Sequence, residues 1–166
     1  MINYQKHTLP NGLTVVVNRD RSSKLAAVNL LYKIGARNEN PSRTGFAHLF
    51  EHLMFRGTKA VPDFDTPVQM ACGENNAFTN NDYTDFYITL PKDNIETALW
   101  LESDRMEGLD ITPAKLEAEK KAIEEALCSG TLSVDELTEK SKRLPQLTDL
   151  IDEKTMRWLE LSEIEG

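Results

Sequence analysis

The chain has 166 residues, of which 40% are hydrophobic and 28% charged, with a formal net charge of −8. That length and balance describe a folded protein with an ordinary core, exclude disordered and fibrous classes, and leave no Lys/Arg patch for tracking phosphates, so nucleic acid is not an expected partner. Only Cys72 and Cys128 are present, with no short metal-type spacing between them, so neither a disulfide framework nor a cysteine zinc site is indicated. With no basic-then-apolar leader and no membrane-length apolar run, the sequence reads as cytoplasmic, with no membrane partner.

Residues 7–18 place Asn11-Gly12 just ahead of a β-branched run, a hairpin signal. Residues 24–34 alternate partly and predict a third strand, ended by Gly35. After a polar loop, residues 44–55 carry apolar side chains at 46, 49, 50, 53 and 54, the helical period. A short helix is expected over 62–72, with Asp63 and Asp65 able to cap it and Gly73 after it.

Residues 75–80 and 83–90 read as two strands joined by an Asn81-Asp82 turn, and residues 93–106 as a helix with Asp93 near its N-cap. Thr112-Pro113 opens a helix that runs through Leu127, because proline suits the first helical position. Ser129-Gly130-Thr131 breaks it, and residues 133–161 restart as a helix with Ser133 and Glu136 forming a capping box. Leu137, Leu144, Leu147, Leu150 and Ile151 form a near-heptad stripe, and Pro145 is a site for a kink. The expected class is α+β: an antiparallel sheet with helices packed on one face over residues 1–112, then an antiparallel helical hairpin over residues 113–166.

The chemistry gathers in His48-Leu49-Phe50-Glu51-His52. Residues four apart on a helix lie one above the other, so the two imidazoles can chelate one ion, with Glu51 beside them. Neutral imidazole is a preferred zinc ligand, and a catalytic zinc needs three protein ligands so that water can take the fourth place. Zinc lowers the pKa of water from 15.7 to about 7, and a neighbouring carboxylate can serve as general base. Two solvated histidines would be the plain alternative. Three such residues within one largely apolar helix, where an unpartnered polar group costs roughly 1–3 kcal/mol, favour the Zn2+ site.

Residues 45–55 (GFAHLFEHLMF) with Gly57-Thr58, residues 73–79 (GENNAFT) and residues 101–106 (LESDRM) together resemble the N-terminal domain of pitrilysin/insulinase-type metallopeptidases, the inverzincins, over residues 4–112. The resemblance implies a zinc metalloendopeptidase with His48 and His52 as ligands and Glu51 as catalytic base. It also implies that Asn76, Ala77, Phe78 and Thr79 lie on an edge strand where a peptide substrate adds as a further strand. The third ligand in that family is a Glu on a downstream helix; Glu125 matches best and Glu124 is its rival.

Such enzymes enclose a peptide or unfolded polypeptide between two halves. A second peptidase half-domain or subunit is therefore the implied partner, and this chain alone is expected to be incomplete and weakly active. The alternative is a non-catalytic peptide- or protein-binding subunit of the same fold. From about Leu116 onward, residues 128–132 (CSGTL) and 157–162 (RWLELS) resemble instead the coiled-coil hairpin of duplicated-ATPase (ABC superfamily) translation factors, which implies a fusion joined at a Glu/Lys-rich helix. A ribosome-contacting role for that tail is disfavoured by its acidity.

Overall fold

In the computed structural model, which describes residues 2–41, 44–129 and 133–164, the Asn11-Gly12 pair turns the chain as expected. Gly12 takes a left-handed φ of 88°, and the backbone N–H of Leu13 donates to Asn11 Oδ1 at 3.1 Å. Strand β1 (Gln5–Thr8) thereby pairs antiparallel with β2 (Thr14–Val17), in a two-stranded sheet of their own.

A second sheet holds β3 (Leu25–Tyr32), β4 (Glu74–Thr79) and β5 (Thr84–Pro91) in the order β3-β5-β4, with both pairings antiparallel. The aromatic and β-branched run of β5 occupies the centre, where both neighbours and the helices cover it. Thr84, Asp85, Phe86, Ile88 and Leu90 are buried accordingly. Ile88 and Leu90 share a core with Val61, Phe64, Val68, Ala98 and Leu101, which brings α2 (Asp65–Met70) and α3 (Ile95–Glu107) against the sheet. Each such fully buried aliphatic or aromatic side chain is worth about 1.5–3 kcal/mol relative to exposure.

Arg105 of α3 is buried inside this apolar layer, and its charge is met on three sides. Its guanidinium stacks 4.3 Å from the ring centres of both Phe64 and Phe86, and Nη2 donates to Glu102 Oε1 at 2.5 Å and Oε2 at 2.6 Å. A bidentate partner and two π faces are the conditions under which a buried cation is tolerated.

Helix α1 (Phe46–Met54) lies against β4 and β5, and its other side meets α4 (Pro113–Cys128) and α5 (Val134–Ile164). Leu49 and Leu53 of α1 join Leu116, Ile123, Leu147, Leu150 and Ile151 in a second core. From Leu144 onward the leucine stripe of the hairpin thus packs on α4 and the motif helix, while Leu137 is exposed.

The Ser133/Glu136 capping box forms: Ser133 N donates to Glu136 Oε2 at 2.9 Å, and Glu136 N donates to Ser133 Oγ at 3.3 Å. Asp93 stands one position before the N-cap of α3, near it as expected. A 3-10 turn over Lys92–Asn94 precedes the helix, leaving Asn94 at the cap with its amide donating to Ala71 O at 3.0 Å. α5 runs on through Pro145 as one helix. Gly130 and Thr131 of the expected break lie outside the described residues, as do the side chains of 154–166. Among the described residues, no helix is long and apolar enough to cross a membrane.

Candidate metal centre

The motif helix is held at its start by a residue outside it. Gly45 precedes the helix with a left-handed φ of 92°, and the Glu39 carboxylate accepts N–H bonds from Gly45 at 2.5 Å and Ala47 at 2.6 Å. An acidic group across the first turn satisfies donors that have no partner within the helix and complements the positive end of its dipole. α1 is only nine residues long, so this anchoring and its two cores fix its pose.

On that helix His48 and His52 converge. Their Nε2 atoms stand 3.0 Å apart, with ring centres at 4.8 Å and planes 32° from parallel. Two imidazole nitrogens at that distance share either one proton or a cation. Glu51 is buried at 8% exposure and falls in the same group, with one donor atom from each of His48, Glu51 and His52 within 4.8 Å of one another. Burial first, then the charges of Arg143, the neighbouring His48, Lys140 and Arg56, push the His52 pKa down to about 3. A ring held neutral is in the state a metal ion requires, and two imidazoles with a carboxylate form a donor set suited to zinc.

Glu51 Oε2 accepts the hydroxyl hydrogen of Thr79, at the end of β4. The buried carboxylate is therefore oriented by the sheet. Residues 76–79 all lie on β4, whose only strand partner among the described residues is β5, so its other edge is open. The N–H of Ala77 is held by the side chain of Asn76, at 2.8 Å from Oδ1. A cavity of about 610 Å³, lined in part by Tyr32, Ile34, Phe46, Phe50, Met54 and Phe86, opens beside Glu51.

The structure does not bring Glu125 to the imidazoles. Its side chain is 70% exposed and lies 3.8 Å from Lys121 Nζ on its own helix, and Glu124 is exposed as well. The reason is rotational: Leu116 and Ile123 face the core, and at 100° per residue positions 124 and 125 turn away from it. The carboxylate that does reach the pair belongs to α5: Glu139 Oε1 stands 3.6 Å from His48 Nε2 and 3.4 Å from His52 Nε2. With His52 held neutral, this contact is not an ordinary ion pair. Sequence reasoning missed Glu39 and Glu139, and placed Thr79 on the substrate strand without its bond to Glu51. Only the packing of loop and hairpin on α1 reveals them.

Residues 14–149 match the profile of a family described as Insulinase (Peptidase family M16). The chain is 34% identical over 125 residues to the zinc protease PqqE of Helicobacter pylori, an alignment covering 74% of this chain and 28% of that protein. It is 30% identical over 118 residues to a probable mitochondrial-processing peptidase subunit beta of Arabidopsis thaliana, covering 70% and 22% respectively. Among solved structures, a protease from Helicobacter pylori superposes with a TM-score of 0.70 at 32% identity, covering 75% of this chain and 31% of that one. Pitrilysin shares the fold, with a TM-score of 0.66 at 24% identity over 77% of this chain and 14% of its own. The chain thus spans less than a third of the length of these relatives.

Proposed function

Because the chain belongs to the insulinase family of peptidases, peptidase family M16, we propose that it is a zinc metallopeptidase domain that hydrolyses peptide bonds, with His48 and His52 as zinc ligands and Glu51 as general base. The observation that carries this reading is the meeting of the two Nε2 atoms at 3.0 Å beside a buried carboxylate that the sheet orients. Relatives named as zinc proteases support the cofactor. When bound, zinc supplies the Lewis acidity that makes water a usable nucleophile near neutral pH.

The chain's own residues supply the rest. Glu51 takes a proton from the attacking water and can return it to the departing amine, and Thr79 fixes the direction of its carboxylate. The open edge of β4, over Asn76, Ala77, Phe78 and Thr79, pairs with substrate backbone, which gives alignment with little dependence on sequence. The apolar cavity beside Glu51 accepts a substrate side chain. A second half-domain or subunit of the family closes over the bound peptide, as suits a chain spanning under a third of its relatives' length. On this reading residues 1–112 form the peptidase unit and residues 113–166 a hairpin that buttresses its motif helix.

The test pairs metal binding with turnover. Wild type should bind one zinc, Glu51→Gln should bind it as tightly while losing on the order of 10²–10⁴-fold in hydrolysis of a quenched fluorescent peptide, and His52→Ala should lose the metal. Zinc binding unchanged by His52→Ala would sink the assignment. The open β4 edge also favours a second reading, a peptide-binding subunit without catalysis; peptide association that persists in Glu51→Gln and after chelation, with no turnover by wild type, would select it.

A further inference from the structure

We infer that the C-terminal hairpin supplies the third protein ligand of the metal site, through the carboxylate of Glu139 on α5. This rests on the zinc-site reading above and names a ligand at a position that no sequence signal marks.

The first argument is the shape of the donor set. His48 Nε2, His52 Nε2 and Glu139 Oε1 form a triangle with edges of 3.0, 3.4 and 3.6 Å. In a tetrahedral zinc site, with bonds of about 2.0–2.2 Å to nitrogen and oxygen, neighbouring ligand atoms lie roughly 3.3–3.6 Å apart, because a tetrahedron's edge is about 1.6 times its centre-to-corner distance. Three atoms from two distant stretches of chain therefore already mark out one face of that figure. The fourth corner is left for water.

The second argument is competition among carboxylates. Glu51 is engaged by Thr79 and fits the role of base. Glu125 pairs with Lys121 on an exposed helix face, and Glu124 is exposed too. Neither reaches the imidazoles without rotating α4 out of its core, where Leu116 and Ile123 are buried.

The third argument is that α5 holds Glu139 in place. Positions 139, 143 and 146 recur at helical spacing on one side of α5. Gln146 Nε2 donates to Thr44 O at 2.6 Å, just before the motif helix, and Arg143, buried at 5% exposure, places Nη1 4.0 Å from Glu139 Oε1. Leu147, Leu150 and Ile151, one to two turns further, lock the same helix against Leu49 and Leu53. A guanidinium behind a carboxylate helps to aim it, as outer-shell partners of metal ligands do.

The experiment uses the whole chain and two probes: zinc affinity by competition with a chromophoric chelator, and the visible absorption of Co2+ bound in place of zinc. Glu139→Gln should weaken zinc binding on the order of 100-fold and diminish the Co2+ bands, whereas Glu125→Gln and Glu124→Gln should leave both unchanged. Glu139→His, which restores a zinc donor at that position, should recover much of the affinity, and circular dichroism should show each variant folded. A Glu139→Gln protein that binds zinc like wild type, or a loss confined to Glu125→Gln, overturns the inference while leaving the His48/His52 site standing. A wild type that binds no zinc removes the site reading itself, and this inference with it.

Discussion

Thr79 and Glu51 are joined by a hydrogen bond that runs from the end of the sheet's edge strand to the buried carboxylate of the motif helix. The strand proposed to align substrate and the group proposed to take a proton are thereby positioned together, and displacement of one is felt by the other. Replacing Thr79 with isosteric Val removes the donor and keeps the volume. Peptide hydrolysis should fall about 10-fold, since the carboxylate has lost the donor that aims it. Zinc affinity should be unaltered; hydrolysis at the wild-type rate would show that Thr79 does not act through Glu51.

The metal-free protein should become less stable as the solution is acidified from neutrality. The pKa of His52 drops from 6.5 to about 3 on folding, so between those values the unfolded chain binds a proton that the folded chain refuses. More protons bound in the unfolded state means that stability rises with pH across that window and levels off above it. Urea titrations from pH 4 to 8 on wild type and His52→Gln check this. The slope should be shallower in the variant, and identical slopes would contradict it.

Leu147 is fully buried between α4, α5 and the motif helix. Leu147→Ala should cost about 2–5 kcal/mol in a chemical denaturation midpoint analysis, as large-to-small core changes do. Since the cavity forms next to the Leu49/Leu53 contact, the variant should also bind zinc more weakly than a comparably destabilised variant of the other core, such as Leu101→Ala.

Gly35 tolerates no side chain. An added Cβ would stand 2.3 Å from the backbone oxygen of Asn80 and 2.7 Å from Asp82 N, both parts of the turn between β4 and β5. The N–H groups of Ala36 and Arg37 donate into the same turn at 3.0 Å each, so the crowding cannot be relieved without parting two hydrogen bonds. Gly35→Ala should destabilise by about 1–3 kcal/mol, read as a lowered thermal midpoint. A neutral effect would mean that the turn can move.

The five strands, the motif helix and the hairpin were legible along the chain because each depends on local signals: Asn11-Gly12, alternation in residues 24–34, the helical period of 44–55, and Ser133 with Glu136. Convergence of His48 and His52 was legible for the same reason, since i,i+4 spacing is a local property of a helix. Glu139 was not. It lies 91 positions from His48 in a stretch dense with Glu, where composition cannot separate it from Glu124 or Glu125, and its approach depends on which face of α5 the leucines bury. Glu39 was hidden for a related reason, because it caps α1 from a loop whose path no periodic pattern records.

Helix α1 shares one core with the hairpin while its flank lies against the sheet, and Phe55 just beyond its end packs on the other core. Any free energy gained by loading the ion is then distributed to tail and sheet alike through mass action on a common folded state. On the proposed site, a chelator should act on this architecture as a mild denaturant, and amide exchange in distant β5 should gauge what happens at His48.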